Sequence, residues 1–142
     1  MFRSLAMVMY GSESFHDTVR SLLVTYIEKN AKDFKKYLSD ETMEMHLKRL
    51  KELGQWGTHV ELKAAAGILQ LPIYIYTPTL KADGQYAWNK IIPASHQSEI
   101  PNVPPNDLNH IELCHTKGVH YDLIVLTNGT YPRDFPDYTM CM

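Results

Sequence analysis

A chain of 142 residues, 44% hydrophobic and 21% charged, has the composition of one ordinary globular domain, long enough to bury a core without staples. Its formal charge of −2 argues against a general nucleic-acid binder. No stretch approaches the ~18 apolar residues that span a bilayer, so no membrane association is expected.

Phe2, Leu5, Ala6 and Met9 fall at helical spacing and Gly11 closes the segment. The run is too short, and too early broken by Ser4, for a secretory signal. It also begins already inside its apolar pattern, with no residue to cap it, which is unexpected for a complete domain. Ser14 is the expected cap of the next helix, whose stripe is Phe15, Val19, Leu22, Leu23, Tyr26 and Ile27, ending at Asn30. Phe34, Tyr37 and Leu38 suggest a short packed turn or helix. Met43, Leu47, Leu50 and Leu53 mark a third helix, capped near Asp40 and stopped by Gly54, with Lys48, Arg49, Lys51 and Glu52 as its solvated face.

The stretch from Gly57 to Tyr76 reads as a helix running into a strand. Thr58 caps the helix and Glu61 reaches back to the Thr58 amide, a T-x-x-E box. The Ala-rich middle favours helix, Pro72 forbids more of it, and Ile73-Tyr74-Ile75-Tyr76 is strand-forming. Thr77 to Gln85 should form a hairpin loop with an Asp83-Gly84 turn, leading to a returning strand over 86–92. Residues 93–109 hold four prolines, three asparagines and two serines and read as an exposed loop. Two strands, 111–116 and 119–126, should meet across Lys117-Gly118. Asn128-Gly129-Thr130 reads as a turn rather than a glycosylation site, and the tail, with Pro132 and Pro136, as a surface segment. We therefore expect an α/β domain over residues 1–128, helices packed around a small central sheet, followed by a tail at 129–142.

Within Gly118-Val119-His120-Tyr121-Asp122, the histidine and aspartate are two apart in a strand and so share a face. A carboxylate beside an imidazole fixes its tautomer and stabilises the imidazolium, which is the base-and-orienter half of a nucleophilic triad. Spacing alone also fits an ordinary wet strand face. Two cysteines, Cys114 and Cys141, make neither a disulfide framework nor a CxxC metal site, which favours a reducing, cytoplasmic or nuclear compartment. With Lys117-Gly118 as a two-residue turn, Cys114 would face Tyr121 and point away from His120. His110, His115 and His120 lack zinc-type spacing, so neither a metal nor a cofactor is expected.

The order of these features, from Met1-Phe2-Arg3-Ser4-Leu5-Ala6 through Trp56-Gly57-Thr58-His59-Val60-Glu61-Leu62 and Pro72-Ile73-Tyr74-Ile75-Tyr76 to His120-Tyr121-Asp122, resembles the ovarian-tumour (OTU) family of cysteine deubiquitinases. The resemblance covers the chain to about Leu126. It implies a papain-like α/β fold, cleavage of the isopeptide bond after the last glycine of ubiquitin, and ubiquitin or polyubiquitin as the partner of a monomer. It also implies His120 as general base and Asp122 as its orienting residue. Trp56, Gly57 and Glu61 match the family's W-G-G-x-x-E-L pattern, with Thr58 in place of the second glycine, and are expected as scaffold near the cleft; for Trp56, plain core packing remains open. The family's nucleophile lies in an Asp-Gly-x-Cys segment opening the first helix, where the helix terminus lowers a thiol's pKa. Met1 matches the residue just after that cysteine, so the nucleophile is expected immediately before Met1. The chain as given is then an inactive deubiquitinase domain; the alternative is an OTU-like pseudoenzyme that binds ubiquitin or another protein without cutting it.

Overall fold

The structure is a computed structural model, and it describes residues 1–80, 86–91, 110–117 and 120–124. The expected Asp83-Gly84 turn, the loop over 93–109, residues 125–126 and the tail from 129 lie outside the described residues.

Helices come first. They are α1 (Phe2–Tyr10), a 3-10 turn (Glu13–Phe15), α2 (His16–Lys29), α3 (Ala31–Phe34), a second 3-10 turn (Lys35–Tyr37), α4 (Met43–Lys51) and α5 (His59–Leu69). Strands follow as β1 (Ile73–Leu80), β2 (Tyr86–Ile91), β3 (Ile111–Thr116) and β4 (His120–Leu123). They form one mixed sheet in the order β2-β1-β3-β4, with β1 and β3 parallel and the outer pairs antiparallel.

Local chemistry explains most boundaries. Gly11 ends α1 in the left-handed conformation, φ 72°, where a side chain would be strained, and its amide caps the Met7 carbonyl. The box at α5 forms as expected: Thr58 caps the Val60 amide and Glu61 accepts from the Thr58 amide at 2.6 Å. Two caps differ from expectation. Ser12, not Ser14, caps the chain entering α2, through an intervening 3-10 turn that leaves Phe15 exposed against Tyr10. Thr42, not Asp40, caps α4, and Leu53 lies beyond that helix and is exposed. β1 runs on past Tyr76 because Pro78, lacking an amide, is accommodated where the pairing with β2 shifts register.

Helix α2 is the hub of the core, packing on α1, α4 and α5. Its Val19, Leu23 and Ile27 are wholly buried with Leu5, Leu50 and Leu62 from those neighbours and Ile73, Ile111 and Leu113 from the sheet. Each such side chain contributes roughly 1.5–3 kcal/mol by leaving water. The consequence for function is placement: α1 is clamped between α2 and the edge strand β4.

Candidate active site

A cleft of about 800 Å³ opens where three segments meet: the first turn of α1, the loop before α5, and β4. Met1, Phe2 and Ser4 form one wall, Trp56 another, and His120 and Asp122 a third. The walls are tied through one carbonyl. Tyr121 O accepts from the Ser4 hydroxyl at 2.6 Å and from the Met1 amine at 3.3 Å. Ser4 is buried, and the bond itself is partly so.

His120 is exposed, and its ring lies 5.4 Å from that of Trp56 at 60°. Trp56 is 56% exposed, so it is a cleft wall and not a core residue. Asp122 shares the strand face of His120 and accepts a long hydrogen bond of 3.4 Å from Thr116. No hydrogen bond joins His120 to Asp122 among the described residues. Gly57 touches the other wall: a Cβ there would fall 1.7 Å from the Met1 methyl and 3.2 Å from Phe2 Cζ, so a side chain would displace the flexible Met1 tip and crowd the Phe2 ring. Glu61 does not line the cleft; it is wholly buried behind the loop and shapes it through Thr58.

Pairing of β3 with β4 corrects one expectation. Thr116 lies opposite His120, His115 opposite Tyr121 and Cys114 opposite Asp122. The register is one residue away from that of a two-residue turn, because three residues separate Thr116 from His120. Opposed residues share a face, so Cys114 lies on the face of His120 and Asp122, not away from it. It is nonetheless wholly buried and disulfide-bonded. It offers no thiolate to the cleft. The three histidines do not converge: His115 stacks on Tyr121 at 4.3 Å on the opposite face, and His110 bonds Glu112 at the far end of β3.

Several residues that build the site were not singled out from the sequence. Arg20 buries its guanidinium under the cleft, 4.0 Å from the Phe2 ring centroid, and donates to the carbonyls of Leu50 (3.0 Å) and Gln55 (2.9 Å). An arginine between Val19 and Leu23 in an apolar stripe is the signal that was available. His46 has the same signature, being on the stripe of Met43, Leu47 and Leu50. Arg49, read as solvated, instead pairs with Glu41 at 3.0 Å and donates to the Trp56 carbonyl at 3.2 Å.

Residues 1–102 match the family model of the OTU-like cysteine protease. OTU domain-containing protein 5-A of Xenopus laevis is 24% identical over 128 residues, 90% of this chain and 22% of its own length. The OVARIAN TUMOR DOMAIN-containing deubiquitinating enzyme 9 of Arabidopsis thaliana is 33% identical over 76 residues, 54% of this chain and 22% of its own. The chain thus spans about a fifth of the length of the curated relatives it matches. Among solved structures, the OTUD1 OTU domain aligns with a TM-score of 0.63 at 21% identity, covering 86% of this chain and 75% of that one. The viral OTU domain protease of Qalyub virus aligns at 0.64 and 19%, covering 86% and 74%. The Hazara virus OTU bound to ubiquitin aligns at 0.61 and 16%, covering 86% and 71%. The fold is the papain-like α/β fold of these domains, helices around a small sheet. The chain belongs to the OTU-like cysteine protease family, whose members are generally deubiquitinases.

Proposed function

We propose that this chain forms the body of a thiol-dependent deubiquitinase site, with His120 as general base and Asp122 stabilising the imidazolium. The observation that carries this reading is the junction at Tyr121, which ties the first turn of α1 to the strand bearing His120 and Asp122. A cysteine on a residue joined to the Met1 amine would stand at the N-terminus of α1, where backbone amides favour a thiolate, at the edge of the cleft that His120 lines. That thiolate attacks the carbonyl carbon of ubiquitin's last glycine after His120 takes its proton. The imidazolium returns the proton to the departing lysine amine, and water then cleaves the thioester. The open spacing of His120 and Asp122 fits an unliganded site, where such bonds tighten only around substrate. Trp56 shields one face of the base. The Hazara virus relative is bound to ubiquitin, which supports the same partner here.

A second reading, a ubiquitin binder that does not cut, is favoured by the state of Cys114: the one cysteine among the described residues is buried and bonded. The test is labelling by ubiquitin carrying a C-terminal electrophile. The chain as written should form no adduct, since losing the nucleophile of a catalytic unit costs on the order of 10⁶ in rate. The chain with Asp-Gly-Asn-Cys placed ahead of Met1 should form one that disappears in His120→Ala. A folded, extended chain that binds ubiquitin yet stays unlabelled would establish the second reading. Labelling of the chain as written, lost in Cys114→Ala, would overturn both the assigned nucleophile and the closed state of Cys114.

A further inference from the structure

Behind the loop that carries Trp56, four charged side chains form one closed cluster. His46, wholly buried on α4, spans two carboxylates: its Nδ1 lies 2.5 Å from Glu41 Oε1 and its Nε2 2.6 Å from Glu61 Oε1. With a carboxylate at each nitrogen the ring is placed to donate at both, and Arg49 Nη2 also lies 3.2 Å from Nδ1. Arg49 adds a second cation, donating to both oxygens of Glu41 at 3.0 and 3.4 Å. Two positive and two negative groups balance, which is the condition for burying charge here.

The cluster has two outlets, and both lead to the cleft loop. Glu61 Oε2 accepts from the Thr58 amide at 2.6 Å and from its hydroxyl at 2.9 Å. Arg49 donates to the Trp56 carbonyl at 3.2 Å. The backbone on both sides of Gly57 is therefore pinned. The Trp56 indole is more than half exposed and meets the His120 ring at 5.4 Å, so packing alone holds it only in part. Neither His46 nor Arg49 lines the cleft.

We propose that His46 and Arg49 are positioning residues that hold Trp56 against His120 through the backbone of Trp56, Gly57 and Thr58. The division of labour follows from the bonds. Arg49 fixes the Trp56 carbonyl directly. His46 orients Glu61 from one side so that the other oxygen is aimed at Thr58, and it fixes Glu41, the common anchor of both cations. The importance of His120 rests on its reading as the base; the positioning does not, and its test reads geometry instead of turnover.

That test is the NMR spectrum of the histidine ring protons in the chain as it stands. An indole 5.4 Å away displaces the His120 ring resonances, and Trp56→Ala gives their undisplaced positions. Arg49→Gln should move them most of the way to the Trp56→Ala positions while the methyls of Val19 and Leu23 stay put. Arg49→Lys should do nearly the same, because a point charge can pair with Glu41 but lacks the planar fork that also reaches the Trp56 carbonyl. His46→Gln, which can serve only one of the two carboxylates, should move them in the same direction. Undisturbed His120 resonances in folded Arg49→Gln, or wild-type positions in Arg49→Lys, would overturn the role of Arg49; undisturbed resonances in folded His46→Gln would overturn that of His46. Should His46→Gln not fold, the half-exposed Arg49 site alone decides the proposal.

Discussion

His46 concentrates the charge chemistry of the molecule in one buried ring. Its pKa is raised, first by the hydrogen bond to Glu61, then, against the cost of burial, by Glu41. The Glu41 carboxyl is held below its ordinary value, chiefly by Arg49 and next by His46. A raised histidine pKa means that the folded state binds the proton more tightly than the unfolded chain. The stability this gives is whole below the unfolded value of about 6.5 and is lost as pH rises through the folded one. Glu41 has the opposite sign: its contribution is whole above about 4.3 and is lost as pH falls through its depressed value. The cluster should therefore stabilise most between roughly pH 4.3 and 6.5. Arg20 on α2, which faces Glu61, and Asp40 and His59, which line a cavity beside His46, share the same field. We expect the thermal midpoint to fall between about pH 6 and about pH 9, and His46→Gln to flatten that fall. An unchanged slope in the folded variant, measured by calorimetry, would mean that another group titrates.

Between elements, α5 approaches α2 closely at Gly67. A Cβ on Gly67 would sit 2.6 Å from Tyr26 Oη and 3.2 Å from Cζ, at the end of a rigid, buried ring. Gly67→Ala gains about 1 kcal/mol of helix propensity but overpacks, which typically costs about 1–3 kcal/mol. We expect a net loss. Among the described residues the Tyr26 hydroxyl has no hydrogen-bond partner, so Tyr26→Phe alone should be near neutral and should recover part of the loss in the double variant. A denaturant-melt cycle with no coupling would refute the contact. Periodicity made these elements legible: the stripe of α2, the box at Thr58 and the strands at 73, 86 and 111 are local patterns. What escaped was decided elsewhere. Ser12 displaced Ser14 as a cap because a 3-10 turn intervened. The β3–β4 register slipped by one because a three-residue connection replaced the dipeptide turn, which put Cys114 on the other face. The pair of His120 and Asp122 was legible as a motif. Arg20, Ser4, His46 and Arg49 were not, because their partners are backbone carbonyls and buried acids distant in sequence.

At the scale of the whole molecule, the cleft exists only because the two ends of the fold meet. Met1 and Tyr121 are 120 residues apart, and among the described residues β4 is a four-residue edge strand held by one neighbour, β3. A short edge strand should be the least protected part of the sheet. Beyond its pairing with β3, β4 depends on α1, and the part-buried bond from Ser4 to the Tyr121 carbonyl is the shortest tie between them. Ser4→Ala removes that donor and leaves a part-buried carbonyl with only the Met1 amine, a loss of about 1 kcal/mol or somewhat more. The effect should be local. The helix propensity of alanine offsets part of the cost in α1, and the pairings of β1 with β2 and β3 do not involve Ser4. Hydrogen exchange should then speed several-fold at the amides that bond β3, those of Asp122 and the flanking Ile124, with β1 and the core of β3 unchanged. Uniform loss of protection across the sheet would show that Ser4 supports the fold at large, and no change in β4 would show that β3 alone holds the strand carrying His120.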